Sequence, residues 1–181
     1  MNRRSAIRSF IIVSAGASLL PSCLQKDDSK ATILLNNIHV SGEQEKLLAA
    51  LTDAILPTTT TVSPGASGLS SHAYVLMMVD DCFKKEEQEK FMKGFGQFDE
   101  LAKNKSGGTF LNADAGQRNS FLKALESKKD IPEETLAFYN SVKKLTIQSF
   151  TGSKFYLTEV RKYEMVPGRF YGCFPVANKK M

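Results

Sequence analysis

The residues able to ligate a metal, move a proton or form a bond are sparse in this chain. Two histidines stand at His39 and His72. Neither has a carboxylate or thiol at metal-ligand spacing, and no Glu-x-x-His occurs, so zinc and di-iron sites have no framework here. A single histidine at a helix start, as His72 is, reads as a surface or capping residue. Asp80-Asp81 interrupts an apolar run, but no second cluster completes a metal or acid–base site. Gly94-Phe95-Gly96 lacks the preceding strand and later glycine of a dinucleotide loop. Ser70 and Ser71 lack the surround of a nucleophile elbow. The expectation is a chain that performs no reaction by itself and holds no cofactor or metal.

Three cysteines remain, Cys23, Cys82 and Cys173, with no Cys-x-x-Cys pair for zinc, thiol redox chemistry or covalent haem. Leu20-Pro21-Ser22-Cys23 resembles a bacterial lipobox, with Leu three positions before the cysteine and a small residue just before it. On that reading Cys23 is lipidated and begins the mature chain, and several acyl chains hold far more firmly than one. An ordinary signal-peptidase site with an incidental cysteine is the alternative. For Cys82 and Cys173 three states stay open: a Cys82–Cys173 disulfide, two free thiols, or Cys173 bonded to another chain. An exported context permits any of them. Cys82, in an apolar helical run, also suits a small buried residue.

The segment before Cys23 supports export. Arg3, Arg4 and Arg8 precede an apolar stretch, Phe10 to Leu20, and residues 1–22 contain no acid. That stretch is about 11 residues, against about 20 for a spanning helix, so it reads as a cleavable signal. Arg3-Arg4 followed by Ser5, Ala6, Ile7 and Arg8 resembles a twin-arginine signal, with Ala6 where that signal usually has Phe. General secretion is the alternative. Residues 23–40 then form a lipidated tether. Its start, Leu24 to Ser29, resembles the Lys/Asp-rich signal that sends some bacterial lipoproteins to the cell surface. The expected location is the cell envelope, periplasmic or surface-facing.

The formal charge of +5, from 24 basic and 19 acidic residues, suggests nucleic acid only until it is placed. Arg3, Arg4 and Arg8 account for most of the excess, and the remaining lysines are scattered without interleaved aromatics. A solvated face is the reading, and nucleic acid is not expected as a partner.

Residues 41–181 must supply the fold. A body of about 140 residues buries roughly two-thirds of its unfolded surface, enough for a real core. Ser41 and Gln44 form a capping box before Leu47, Leu48, Leu51 and Ile55, and Pro57 stops that helix. A Thr-, Ser-, Pro- and Gly-rich loop follows. From Ser71 the run is apolar nearly all round, which predicts a buried central helix. Phe91, Phe95, Phe98 and Leu101 give the next helix its stripe, and Gly107-Gly108 ends it. Asn112 is a plausible cap for a helix carrying Phe121, Leu122 and Leu125. Pro132 opens another that runs to about Phe150, and a shorter segment covers Phe155 to Tyr163. No strand pattern or repeat emerges. The prediction is all-α: a single compact bundle of five to six helices with an extended aromatic C-terminal tail.

Two features point to contact surfaces. Gly94 and Gly96 each cost a helix about 1 kcal/mol relative to Ala, which suggests close approach by another backbone, or mere tolerance. Phe170, Tyr171 and Phe174, flanking Cys173, are hard to bury in a helical bundle. Gly94, Phe95, Phe170, Tyr171, Cys173 and Phe174 are therefore candidate partner contacts, with a self-packed tail the alternative.

The order of several marks resembles the gluconate 2-dehydrogenase subunit 3 family, the small subunit of membrane-bound flavin dehydrogenases. The marks are "DAILP", Pro64-Gly65-Ala66, "FMKGFGQFDELA", Gly108 with Phe110-Leu111, "FYNSVKKLTIQSF" and "YEMVPGRFYGCFPV". The resemblance implies an accessory role beside a flavoprotein of the glucose–methanol–choline type. FAD and catalysis belong to that partner, and a cytochrome c or other carrier takes the electrons. A folded flavoprotein without its own signal could be exported with this chain. A free-standing envelope lipoprotein acting as a binding module is the competing reading.

Overall fold

A computed structural model describes residues 31–59, 63–106, 108–127, 131–163 and 168. Five α-helices follow one another: α1 Gly42–Ile55, α2 Ser71–Cys82, α3 Lys85–Ser106, α4 Ala115–Glu126 and α5 Glu133–Thr151. A π-helix, Tyr156–Val160, ends the series. There is no strand among the described residues, so the all-α bundle is as the sequence predicts. The predicted aromatic tail lies largely outside them.

The helix starts follow local chemistry. Ser41 caps α1, and Gln44 returns the bond to the cap, completing the predicted capping box. The cap of α4 is Asp114 rather than Asn112. Both are good capping types, but only Asp114 has a glutamine, Gln117, three residues on to close a box. Arg118 donates to the carbonyls of Phe110 and Leu111, fixing the turn before α4. Pro132 stands just before α5, where its missing N–H costs nothing.

The core is aromatic at its centre. Phe138 of α5 lies 4.8 Å from both Phe91 and Phe95 of α3 and 5.6 Å from Phe98, measured between ring centroids. Phe98 also meets Phe110 and Phe121, bringing α4 into the same cluster. Such ring pairs add about 0.5–1.5 kcal/mol each beyond their buried area. Gly94 makes this approach possible. A Cβ there would collide with the Glu134 carbonyl oxygen and stand 2.7 Å from Phe138 Cβ. The backbone that approaches Gly94 is thus the chain's own α5. Gly96 has nothing within 4 Å of a Cβ position, so the fold merely tolerates it.

Helix α2 differs from its prediction. Val75, Leu76 and Val79 are buried, but Met77 is 52% exposed and Tyr74 is half-buried. With α1 and α5 as its principal neighbours, α2 keeps one side open. A continuous apolar run cannot say which side that will be.

Candidate functional site

The residues that could do chemistry are dispersed. His39 is exposed; half-buried His72 has its Nε2 3.9 Å from Glu45 Oε1. Glu45 is occupied by Thr32, which donates its backbone N–H and its hydroxyl to the two carboxylate oxygens. Ser71 Oγ lies 2.6 Å from Ser149 Oγ, a link between α2 and α5. Among the described residues no group of three His, Cys, Asp or Glu side chains could hold a metal ion.

The adjacent acids Asp80 and Asp81 part company. Asp81 is exposed, whereas Asp80 is 3% exposed and fully engaged. Its carboxylate accepts the backbone N–H groups of Asn36, Asn37 and Ile38 at 2.8, 2.7 and 2.8 Å. Its carbonyl accepts Asn37 Nδ2 at 2.9 Å and Gln88 Nε2 at 2.8 Å. Burial pushes the carboxyl pKa up, but the three N–H groups outweigh it and hold it below its ordinary value of 3.8. Ile38 is 5% exposed and belongs to the core, with Ile33, Leu35 and Val40 packed against it. The tether expected over residues 23–40 is therefore a docked strap from about residue 31 onward. The carbonyl and N–H groups that dock it leave no mark in the side-chain pattern.

Two sequence-predicted partner contacts face the chain's own core. Phe95 is 1% exposed, stacked on Phe138, and Gly94 is covered by Glu134 and Phe138. The periodic stripe that carries them faces inward. Cys82 is exposed at the end of α2 and is a free thiol, not the buried residue its run suggests. Cys173, the other half of the candidate disulfide, lies outside the described residues. So do Arg3, Arg4, Cys23, Phe170, Tyr171 and Phe174.

Two surfaces stand out among the described residues. One is a cleft of about 660 Å³ between the first turns of α1 and the second half of α3, with Leu47, Phe95, Gly96 and Leu111 among its lining. Its polar wall includes Asp99 and Lys103, which pair at 2.7 Å. That pairing raises the Lys103 pKa. The Asp99 Oδ1 atom is buried without a hydrogen-bond partner.

The other lies around the end of α5, and sequence reasoning missed it by looking further along the chain. Ile147 is 48% exposed, Val160 56% and Tyr163 60%. Half-buried Phe150 meets Phe155 at 6.3 Å and Tyr156 at 5.4 Å between centroids. The Tyr163 N–H donates to the Leu157 carbonyl at 2.7 Å, folding the chain back onto the π-helix. Beside this patch, Tyr74, Gln148, Ser149, Thr151 and Gly152 line a concavity of about 480 Å³. Exposed apolar and tyrosine side chains of this kind are common at protein interfaces.

No described helix is long and apolar enough to cross a membrane. Comparison with curated proteins gave no match, and comparison with solved structures gave none either. Comparison with protein families matched residues 42–168 to the model described as gluconate 2-dehydrogenase subunit 3.

Proposed function

The chain belongs to the gluconate 2-dehydrogenase subunit 3 family, and we propose that it is the non-catalytic small subunit of an exported, membrane-associated dehydrogenase of gluconate or a related sugar. The observation that carries this reading is the family match, which spans the five described α-helices and the π-helix. The exposed apolar surface at the end of α5 adds to it, because partly buried aromatics beside exposed apolar side chains suit a protein interface.

In this role the substrate, FAD and the catalytic base are the flavoprotein's. The partner is of the glucose–methanol–choline type, and a cytochrome c or another carrier receives the electrons. The chain supplies three things instead. Arg3-Arg4 direct twin-arginine export, which moves folded cargo, so a flavoprotein lacking a signal travels with it. Cys23 carries the lipid that keeps the pair at the envelope. The bundle stabilises the flavoprotein by mass action, since a partner that binds only the folded state raises its apparent stability.

Export is tested by replacing Arg3 and Arg4 together with lysine and fractionating cells. The expected result is flavoprotein retained in the cytoplasm. An unchanged distribution of every flavoprotein would count against the escort role.

A further inference from the structure

We propose that the flavoprotein subunit docks on the surface formed by the last turns of α5, the π-helix and the Tyr74 concavity, and that its matching surface is apolar at the centre and acidic at the rim. The proposal rests on the small-subunit reading and adds the place and chemistry of the contact.

The first argument is the cost of order. The π-helix buries none of its five residues. Its closing bond, from the Arg161 N–H to the Tyr156 carbonyl at 2.8 Å, spans five residues. π-turns are rare and gather at functional sites. Fixing each backbone residue costs about 1–2 kcal/mol. With only Tyr156 and Leu157 half-buried, the element recovers little of that cost within the monomer. Burial against a partner supplies it.

The second argument is chemical. Ile147 and Phe150, three apart, share a face of α5, and Phe150 contacts Phe155 and Tyr156. Val160 and Tyr163, both more than half exposed, follow in the π-helix and just after it. Among the described residues the same segment carries exposed Lys154, Arg161 and Lys162 and one acid, Glu159. An aromatic centre with a cationic rim matches an apolar patch ringed by carboxylates, and the rim steers the encounter.

Cations and aromatics also suit an anionic bilayer. The concavity decides between the two. It is walled by the polar residues Gln148, Ser149 and Thr151 with Tyr74 at its side. A protein side chain fills such a space with a fixed shape and fixed hydrogen-bond positions, whereas a fluid lipid surface offers no fixed shape.

The test uses the full chain co-expressed with its flavoprotein and purified by a tag on this chain. Wild type is expected to bring flavin with it; if it does not, the small-subunit reading itself fails. Ile147→Asp combined with Val160→Asp should lower flavin per chain at least tenfold. Both positions are exposed, so circular dichroism should show an intact fold. Arg161→Glu with Lys162→Glu should weaken capture and flatten its dependence on salt. Leu34→Asp, 96% exposed on the strap, is the control expected to bind normally. Patch variants that capture flavoprotein as wild type does would overturn the proposal. So would patch variants that lose binding to phosphatidylglycerol vesicles while keeping flavoprotein. A third contrary result is apolar-dye binding that arises only when residues 164–181 are deleted, which would make the chain's own tail the occupant.

Discussion

The Asp80 carboxylate holds the backbone N–H of Ile38, far upstream in the chain, at 2.8 Å. With the N–H groups of Asn36 and Asn37 on the same carboxylate, α2 becomes the mooring of the strap that leads in from Cys23. Three N–H donors on one buried carboxylate make a charge-assisted cluster, stronger than the same bonds between neutral groups. Asp80→Ala should cost about 3 kcal/mol, since it removes the acceptor and leaves three donors to find water. Chemical denaturation of the folded domain measures the loss. Hydrogen exchange should show residues 36–38 unprotected while the amides of α5 stay slow.

The same carboxylate sets an acid dependence. Its folded pKa lies below 3.8, so the unfolded chain takes up the proton first. The stabilisation is complete above the ordinary carboxyl value and is lost as pH falls through the lower folded value. The stability difference between wild type and Asp80→Asn should therefore be constant at neutral pH and shrink below about pH 4. A difference that grows on acidification would contradict the assignment.

Two glycines two residues apart, on opposite sides of α3, should respond in opposite directions. Gly94→Ala forces a methyl into the Glu134 carbonyl and Phe138, and should destabilise by about 2 kcal/mol or more despite the better helix propensity. Gly96→Ala meets nothing and should stabilise by about 1 kcal/mol. Melting of the two variants beside wild type checks the pair.

Cys82 is free and exposed, and its alkylation in the native protein should be the same before and after reduction. Mass spectrometry of the peptide containing Cys82 reads this directly. Labelling that appears only after reduction would restore a Cys82–Cys173 bridge. Cys82→Ser should leave melting unchanged, because no core contact is lost.

Much of the fold was legible because its signals are local. The Ser41–Gln44 box, the Phe stripe of α3 and Pro132 each act within a turn or two, and each is where the sequence puts it. What was not legible depends on pairings between distant segments. Residues 31–40 have no period, and the strap is held by backbone donors on an aspartate that in sequence only interrupts an apolar run. The stripe carrying Phe95 announces one buried face without saying what buries it, so core and partner contact looked alike. The apolar run of α2 hides which side stays open; only the placement of α1 and α5 exposes Met77. The candidate surface escaped notice because Ile147, Val160 and Tyr163 lie on α5, on the π-helix and just after it, and only the turn after α5 brings those two elements together.

The central claim is that this chain is the small partner of a flavoprotein. The most direct test is purification of the full-length chain from detergent-solubilised envelopes, followed by flavin absorbance and gluconate- or sugar-dependent dye reduction. The account predicts a flavoprotein in stoichiometric amount, with the dye-reducing activity in the same fraction. A folded chain that elutes alone, without flavin or activity, would contradict it.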